Sequence, residues 1–477
     1  MPVTVLIAAP LPLPLCVDLD GTLLRTDMLE EGLLAALARL RPGGLARALL
    51  AGRAAFKRQV ALAATFDPAS LPYNEELLAW LRQQHAAGRR LVLATAADET
   101  VARRIAEHLG LFEAVIASDG IHNLKAAAKA AALAGRFGAG GFAYAGNARC
   151  DLPVWRLAGA AVLVDAPAGV LAQVRAERQV ERVFAGPAPA LLEAMRPHQW
   201  VKNLLVFVPV FTAHALDDPA AWAGGVLAFL AFCAIASSVY IVNDLLDLQA
   251  DRADARKRLR PFARGAVRLS RGVLLAAGLM LLGLALASTC GIAAVAGGYL
   301  LLAVAYSVQL KQQPLVDVFT LTLLYTIRIF GGGEATGHSL SLWLLAFSVF
   351  FFLSLAFIKR VEELQRLQAA GRRRAARRGY TTDDIAILQS FGVAAAFCSA
   401  LTLALFVQAE ASAQRYAAPL LLWGIVPLLL FWQCRMWLSV ARGYMHHDPI
   451  IYAARDWVSW LTGGTMLLLL YAAKAMH

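Results

Sequence analysis

The feature that most constrains how this chain folds is a series of long apolar stretches in its second half. A helix that crosses a membrane needs about 20 mostly apolar residues. From Trp200 onward the chain has nine segments of this kind, of which the first is short and contains Pro209. Only 16% of the 477 residues are charged, against about a quarter in a soluble domain. We therefore predict an all-α membrane domain over residues 203–477 with about nine transmembrane helices, at 203–217, 221–243, 272–289, 291–307, 314–334, 341–358, 386–409, 416–434 and 456–473.

The first half of the chain has a different pattern, because charges interrupt its apolar runs before they are long enough to span a membrane. This predicts a separate soluble domain over residues 1–185, followed by a linker and interfacial segment over 186–202. The apolar residues 3–17 lack a positive leading region and contain three prolines. They are therefore better explained as a buried strand than as a signal peptide.

Lysine and arginine are distributed unevenly among the loops that join the nine apolar segments. The loops near 244–271, 308–313, 359–385 and 435–455 are rich in them, whereas the opposite set of loops contains Arg415 alone. By the positive-inside rule, the basic loops face the cytoplasm. This predicts a multi-pass inner-membrane protein with a cytoplasmic N-terminal domain and a C-terminus on the outside.

Four polar residues at the end of the second apolar segment form a regular series. If the chain stays helical, Asn243, Asp247 and Asp251 lie on one face at a spacing of four, with Asp244 beside them. Carboxylates near a membrane repel one another and are costly to desolvate. A bound Mg²⁺ would remove that conflict and take phosphate oxygens as further ligands. The series and the basic loop that follows it predict a site for a magnesium diphosphate, with Lys257, Arg258 and Arg260 on the remaining phosphate oxygens.

The series Asn243-Asp244-x-x-Asp247-x-x-x-Asp251 resembles the first signature of the UbiA superfamily of intramembrane prenyltransferases, over about residues 194–477. Within that superfamily the chain is similar to the bacterial decaprenyl-phosphate phosphoribosyltransferase branch, through residues 196–203, 257–261 and 306–311 and Asp317. The resemblance implies transfer of phosphoribosyl from phosphoribosyl diphosphate to a polyprenyl phosphate, with release of diphosphate. It implies Mg²⁺ ligands at Asp244, Asp247, Asp251 and Asp317, and substrate contacts at Lys202, Asn203, Asn243, Lys257, Arg258, Arg260, Tyr306 and Lys311.

The identity of the donor and acceptor stays open between two alternatives. Aromatic prenyltransferases of the superfamily carry a second pair of acidic residues. Here Asp317 has no acidic partner three or four positions later, where the chain has Thr320 and Leu321. Lys311, just before Asp317, suits an additional phosphate on the sugar or the lipid. This favours phosphoribosyl transfer. The alternative is transfer of a prenyl group from an allylic diphosphate to an aromatic or other small acceptor, beside a regulatory or degenerate hydrolase domain.

Two further cations, Lys359 and Arg360, end the sixth apolar segment. One interpretation is that they contact substrate phosphate. The other is that they only extend to the membrane surface from an apolar helix.

The N-terminal domain contains an apolar strand that runs into an acidic turn, Leu15-Cys-Val-Asp18-Leu-Asp20-Gly21-Thr22. Asp18 is suited to attack a phosphorus atom, and Asp20 to act as general acid and base. The turn resembles the first motif of the haloacid dehalogenase (HAD) superfamily, over roughly residues 13–183. The resemblance implies an α/β Rossmann-like domain with a small helical cap between Asp27 and about Pro72. It also implies Thr95 at a strand end, Lys125 or Lys129 against the phosphate, and Asp18, Asp20, Asn147 and Asp151 as Mg²⁺ ligands.

One position departs from the HAD pattern, since Asn147 stands where the last motif usually has an aspartate. A neutral ligand weakens metal affinity, so a degenerate or regulatory domain remains an alternative. The intact Asp18 and Asp20 pair favours an active phosphatase. Because both sites are predicted in the cytoplasm, we expect the phosphatase to act on a substrate or product of the transferase. One candidate is the 5-phosphate of a polyprenyl-phosphoryl ribose.

Two other function classes fit the sequence less well. The net charge of +12 would suit nucleic acid, but the basic clusters are short loops between apolar segments, without the interleaved aromatic residues of a stacking platform. A transporter would show paired halves with broken helices at mid-membrane. Here the acidic series lies at a helix end, and no half of the pattern is repeated. The expected partners are therefore a polyprenyl lipid, a diphosphate donor and the membrane, with no nucleic acid.

Overall fold

The computed structural model of the protein describes residues 12–39, 58, 60, 66–188, 190–374, 378–409, 416–445 and 448–475. The chain forms two compact units. The first consists of Met1–Ala194 and Ile241–Leu275, and the second of Met195–Tyr240 and Ala276–His477. Most of the predicted cap, and residues 375–377 of a basic loop, lie outside the described residues.

The first unit is built on a six-stranded parallel sheet with the strand order β3-β2-β1-β4-β5-β6. Successive side chains of a strand point to opposite faces. Leu15 and Val17 accordingly join one buried hydrophobic cluster and Cys16 joins another. Burial on both faces explains why the inner strands β1, β4 and β5 are nearly continuous apolar runs. The strands are β1 Leu15–Val17, β2 Leu91–Asp98, β3 Ala114–Ser118, β4 Ala143–Gly146, β5 Ala160–Val164 and β6 Val180–Phe184.

Helices alternate with these strands, as parallel connections require. Two of them begin at side-chain caps, where Asn74 accepts a hydrogen bond from the Leu77 N–H and Asp98 accepts one from the Thr100 N–H. The arrangement confirms the α/β fold predicted for the N-terminal domain. The helices are α1 Met28–Arg39, α2 Glu75–Ala86, α3 Glu99–Leu109, α4 Ala127–Phe137, α5 Leu152–Leu157, α6 Ala168–Glu177 and α7 Leu191–Ala194.

The rest of the described chain is helical. Two stretches, Pro197–Phe207 and Pro419–Gly424, are 3-10 helices. The α-helices are α8 Val208–Thr212, α9 Pro219–Leu246, α10 Leu248–Ala253, α11 Leu269–Thr289, α12 Ala293–Val308, α13 Val316–Thr336, α14 Leu342–Ala369, α15 Ile385–Gln408, α16 Ile425–Ala441, α17 Pro449–Arg455 and α18 Trp457–Ala475.

Six helical segments of the described chain are long and apolar enough to cross a membrane. They correspond to six of the nine predicted segments, so the prediction of about nine transmembrane helices is not confirmed. The six are Pro219–Leu246, Leu269–Thr289, Val316–Thr336, Leu342–Ala369, Thr382–Gln408 and Pro419–Ala441.

The three remaining segments are not confirmed as spans, for reasons of length and composition. Residues 203–217 form the end of a 3-10 helix and the five-residue helix α8, which contains Pro209. The helix at 291–307 is α12, whose 16 residues are fewer than the roughly 20 that a span needs. The last, α18, has 19 residues and mixes Trp, Ser, Thr and Gly with its leucines.

A run of three glycines lets α13 approach the 3-10 helix Pro197–Phe207 closely. A Cβ atom added at Gly332 would lie 2.1 Å from the Val206 carbonyl oxygen, and one at Gly331 would lie 2.9 Å from the Phe232 ring. Small residues allow such contact between helix backbones in membrane proteins. The run thereby fixes the 3-10 helix, and with it Lys202 and Asn203, against α13.

Candidate active sites

The first candidate site lies at the carboxyl edge of the parallel sheet. Asp18 directly follows the central strand β1, and Asn147 directly follows its neighbour β4. In open α/β sheets this edge is where ligands bind. A cavity of about 340 Å³ lies there, lined among others by Asp18, Asp20, Lys129, Asn147 and Asp151.

Lys129 on α4 joins the two carboxylates of this site. Its Nζ lies 2.8 Å from Asp18 Oδ1 and 3.7 Å from Asp151 Oδ1. It also donates to the Tyr144 hydroxyl at 2.8 Å, and that hydroxyl donates to Asp151 Oδ1 at 2.9 Å. All four residues are at least nine-tenths buried, so the contacts act with little screening by water.

Burial and the neighbouring charges have opposite effects on the pKa of Asp18, and likewise on the pKa of Lys129. Burial raises the pKa of Asp18 to about 6, even though the neighbouring Lys129 ammonium opposes that shift. Burial would lower the pKa of Lys129, but the carboxylates of Asp18 and Asp151 raise it overall. Asp18 is therefore mostly an ionised carboxylate beside a fixed cation at neutral pH.

The other predicted residues take different positions. Asp20 accepts a hydrogen bond from the Met28 N–H at 2.9 Å, and Asn147 packs against Gly21, whose φ is +73°. Thr95 is fully buried within β2, where its hydroxyl accepts from the Ala97 N–H. Lys125 lines the cavity but is exposed. Of the two lysines, Lys129 is therefore the one that contacts Asp18.

The donors at this site suit Mg²⁺. The Asp18 and Asp151 carboxylates both face the Lys129 ammonium, so a cation already balances them. Mg²⁺ is typically held by one or two carboxylates together with water and phosphate oxygens. Within the described part of the chain, no three His, Cys, Asp or Glu side chains form a group that could hold a metal. Any Mg²⁺ here would therefore need ligands from substrate, water or backbone carbonyl groups.

The second candidate site lies in the segment Ile241–Leu275 of the first unit. Its helix α9 ends at Leu246, and Asp247 caps the short helix α10. The backbone nevertheless keeps helical spacing, since the Asp247 N–H bonds to the Asn243 carbonyl and the Asp251 N–H bonds to the Asp247 carbonyl. The acidic series therefore runs through a helix with one irregular position.

Arg260 forms ion pairs with two members of the series, Asp244 and Asp251. Its Nη1 lies 3.1 Å from Asp244 Oδ1 and 2.6 Å from Asp251 Oδ2. Both carboxylates are 2% exposed. Burial raises the pKa of Asp251, and Arg260 opposes that shift. One cationic nitrogen thus lies between two buried carboxylate oxygens. The two carboxylates are ligands of the kind that Mg²⁺ accepts together with diphosphate oxygens.

The other predicted residues of this site differ in their exposure to solvent. Asn243 and Asp247 are half-buried, whereas Lys257 and Arg258 are exposed. Lys257 and Arg258 belong to the 3-10 turn Lys257–Leu259, which precedes Arg260 directly.

The second unit contains a buried group of charges that we call the lysine–aspartate cluster: Lys202, Lys359 and Asp448. Asp448 Oδ2 lies 2.6 Å from Lys202 Nζ and 3.1 Å from Lys359 Nζ. Burial alone would raise the pKa of Asp448, but the two ammonium groups hold it well below its usual range. Two cations thus share one carboxylate, which leaves the cluster net positive.

Asp317 lies in a second group of charges, formed at α13 and α14 with the loop that follows them. Arg360 Nη2 lies 2.6 Å from Asp317 Oδ2, and the Tyr380 hydroxyl donates to Asp317 Oδ1 at 2.7 Å. Arg378 lies 3.4 Å from Asp317 Oδ2 and 3.0 Å from Glu363 Oε1. Asp317 and Arg360 are both fully buried, so cations and a hydroxyl already surround the carboxylate that was predicted to bind metal.

Asn203 belongs to a separate polar contact. Its Oδ1 accepts from Arg328 Nε at 2.7 Å, and Arg328 Nη2 donates to the Tyr299 hydroxyl at 2.8 Å. Tyr306 forms a side-chain hydrogen bond with Arg378. Lys311 is half-buried in the 3-10 turn Leu310–Gln312.

Sequence reasoning missed several of these residues as members of a site. Tyr144 occupies β4 two positions before Gly146, so the period of two in a strand could have pointed to it. Asp448, Glu363, Arg378 and Tyr380 have no comparable local signal, because their partners are remote in sequence.

Two family patterns match the chain. The UbiA prenyltransferase family matches residues 204–444, and the haloacid dehalogenase-like hydrolase family matches residues 15–156. Both families typically use Mg²⁺. Together the two patterns confirm both predicted resemblances.

Three relatives are similar to the chain over different lengths. The uncharacterized protein y4nM of Sinorhizobium fredii is 38% identical over 94% of this chain and 89% of its own length. The nodulation protein NoeC of Azorhizobium caulinodans is 36% identical over 57% of this chain and 88% of its own length. The decaprenyl-phosphate phosphoribosyltransferase of Corynebacterium glutamicum is 34% identical over 37% of this chain and 55% of its own length.

Proposed function

This chain belongs to the UbiA prenyltransferase family of membrane enzymes, and we propose that it transfers a 5-phosphoribosyl group from phosphoribosyl diphosphate to a polyprenyl phosphate. The observation that carries the proposal is the convergence of Asp244 and Asp251 on Arg260. Similarity to a protein named decaprenyl-phosphate phosphoribosyltransferase supports this choice of substrates.

In this proposal the acidic series binds the leaving group. Asp244 and Asp251 would hold Mg²⁺, with Asp247 and Asn243 beside them, while Arg260, Lys257 and Arg258 neutralise the remaining diphosphate charge. When bound, Mg²⁺ stabilises the negative charge that develops on the departing diphosphate. An oxygen of the acceptor phosphate forms a bond to C1 of the ribosyl group. The bond from C1 to the diphosphate oxygen breaks, and its electron pair leaves with diphosphate.

The charges of the second unit support a phosphate-bearing substrate. Lys202 and Lys359 share the single carboxylate of Asp448, and an incoming phosphate would complete their charge balance. Arg360, Arg378 and the Tyr380 hydroxyl surround the Asp317 carboxylate. Asp317 is therefore proposed to position Arg360 rather than to bind the metal directly. Tyr306 and Lys311 remain proposed substrate contacts on the basis of the family resemblance.

The N-terminal domain is proposed to be a phosphatase. The Asp18 carboxylate would attack the phosphorus atom of a phosphomonoester while Lys129 balances the phosphate charge. The bond from phosphorus to the sugar oxygen breaks, and Asp20 gives a proton to the departing oxygen. Water then hydrolyses the aspartyl phosphate. Asn147 and Asp151 are proposed to complete the Mg²⁺ site, and the 5-phosphate of the transferase product is the proposed substrate.

The proposed topology follows from the loop charges. It places the protein in the bacterial inner membrane with the N-terminal domain in the cytoplasm and the C-terminus outside. The proposed domain bounds are 1–185 for the phosphatase, 186–202 for the linker and 203–477 for the transferase.

The experiment that tests the transferase offers the purified chain either radiolabelled phosphoribosyl diphosphate or a radiolabelled allylic diphosphate. Each is supplied with Mg²⁺ and possible acceptors, and label in the lipid fraction is measured. We expect label from phosphoribosyl diphosphate with polyprenyl phosphate as acceptor. Asp244→Asn and Asp251→Asn should each lower the rate by about 10²-fold, whereas Asp217→Asn, at an exposed position, should not. Product formed from the allylic donor alone would replace this proposal by prenyl transfer.

A further inference from the structure

The segment that follows the acidic series is held against the phosphatase domain at three points within the first unit. Arg252 forms a two-pronged ion pair with Glu31 on α1. The Ser270 N–H donates to Glu30 Oε2 at 3.0 Å. Gly265, with a φ of +71°, lies so close to Arg25 that an added Cβ would be 2.5 Å from the Arg25 Cβ. The segment therefore forms part of the wall of this domain.

This packing brings Arg268 to the phosphatase cavity. Arg268 lines the cavity together with Arg25 from the turn after β1. Neither side chain has an ion-pair or hydrogen-bond partner within the described part of the chain, and Arg25 Nε is buried. Thr26 also lines the cavity, is 7% exposed, and its buried hydroxyl has no partner among the described residues.

The acidic residues on the same wall already accept hydrogen bonds, although Asp98 Oδ2 is buried without a partner among the described residues. Asp27 accepts from the Leu29 N–H, and Glu30 accepts from the Ser270 N–H. Asp98 accepts from the Thr100 N–H and hydroxyl. Lys129, in contrast, is committed to Asp18 and Asp151. Within the described residues, two guanidinium groups and a buried hydroxyl therefore remain as unused donors beside Asp18.

We propose that Arg25, Thr26 and Arg268 form a second anion site in the phosphatase cavity, which binds a phosphodiester of the substrate while its phosphomonoester lies at Asp18. The substrate class is a sugar that carries one terminal phosphate and one esterified phosphate. Guanidinium groups suit this role because they bind phosphate oxygens through two parallel hydrogen bonds. The cavity volume of about 340 Å³ lies in the range of small-ligand sites.

This inference rests on the proposed phosphatase activity and makes it more specific. Arg268 comes from the loop that follows the acidic series of the transferase. The product of that transferase, a ribose 5-phosphate joined to lipid by a phosphodiester, has both required groups. A free sugar monophosphate has only one. Arg268 would thus select the product of the neighbouring reaction over soluble sugar phosphates.

The experiment compares two substrates on the full chain in detergent, ribose 5-phosphate and its short-chain 1-O-(alkylphosphoryl) derivative, by release of inorganic phosphate. We expect the wild-type kcat/KM to favour the derivative, and Arg268→Ala to reduce that preference about tenfold, with partial recovery in Arg268→Lys. Arg271→Ala removes an exposed charge three residues away and should keep the wild-type preference. An unchanged preference in Arg268→Ala would overturn the inference.

A binding measurement separates this inference from the phosphatase proposal. In the Asp18→Asn background, the Kd for the alkylphosphoryl derivative is compared with and without Arg268→Ala. A tenfold weaker Kd in the double variant supports the second anion site even if the wild-type chain releases no phosphate, which would refute the phosphatase alone. Equal Kd values would overturn the second anion site.

Discussion

Glu31 and Arg252 form a bidentate ion pair although 221 positions separate them in the chain. Arg252 Nη2 lies 2.7 Å from Glu31 Oε1 and Nη1 lies 2.9 Å from Glu31 Oε2. Both side chains are 3% exposed or less. Arg252 directly follows Asp251, so the pair ties helix α1 of the N-terminal domain to the end of the acidic series.

We expect Glu31→Ala to destabilise the protein strongly. Removing one partner of a buried pair leaves the other charge without compensation, which costs about 3–5 kcal/mol. The measurement is thermal unfolding of the purified chain. The double variant Glu31→Leu with Arg252→Met should be milder than Glu31→Ala, because no charge is left buried. Glu177→Ala breaks an exposed pair with Arg156 and serves as the control. Equal melting temperatures for Glu31→Ala and Glu177→Ala would contradict the prediction.

Lys129→Met should lower the phosphatase kcat by about 10²-fold, the usual effect of removing a fixed group that stabilises transition-state charge. The reason is that Lys129 Nζ contacts Asp18 Oδ1 at 2.8 Å. Phosphate release at saturating substrate measures the effect. Lys125→Met is the matched comparison, since Lys125 is an exposed residue of the same cavity, and its effect should be smaller. A larger loss in Lys125→Met would reverse the assignment of the two lysines.

Phosphatase activity should rise with pH up to about 6. Asp18 attacks only when ionised, and burial raises its pKa from 3.8 to about 6, so protonation below that pH removes the nucleophile. The kcat/KM would therefore fall about tenfold per pH unit on the acid side. Raising the Mg²⁺ concentration should move this limb to lower pH, because a nearby cation favours the charged carboxylate. An acid limb that does not respond to Mg²⁺ would argue against the metal contacting Asp18.

Asp448→Asn should impair transferase activity more than a comparable change nearby. It removes the carboxylate that Lys202 and Lys359 share, so the two ammonium groups repel each other and lose their fixed positions. We expect kcat/KM for the diphosphate donor to fall at least about tenfold, since a buried charge left unpaired costs a few kcal/mol. Asp456→Asn breaks the Arg435–Asp456 pair and is the control. Similar activity in the two variants would mean that the lysine–aspartate cluster has no part in the reaction.

Much of the architecture could be predicted from local sequence patterns. The change from short to long apolar runs predicted an α/β half followed by a helical half with membrane spans, and the motifs at Asp18 and at Asn243 indicated both family resemblances. The number of spans was harder to predict, because hydropathy does not report whether residues 203–217 form an α-helix. There the chain adopts a 3-10 helix before Pro209, and contact with α13 at Gly332 accompanies it.

The choice between Lys125 and Lys129 could not be made from the sequence motif either. The two residues lie four positions apart, a spacing that places side chains on one face of a helix. In the structure α4 begins only at Ala127, so Lys129 lies on the helix and is buried beside Asp18, whereas Lys125 precedes the helix and stays exposed.

The sequence alone predicted which residues carry the chemistry, because a strand, a turn and a helix each bring together residues that are near in the chain. Tertiary structure decided which charges lie in contact, Glu31 with Arg252 and Asp448 with Lys202 and Lys359, and it placed Arg268 at the cavity beside Asp18. These contacts join residues tens to hundreds of positions apart. Coulomb energy depends on distance in space and on burial. A local sequence pattern predicts neither of these for residues that are remote in the chain.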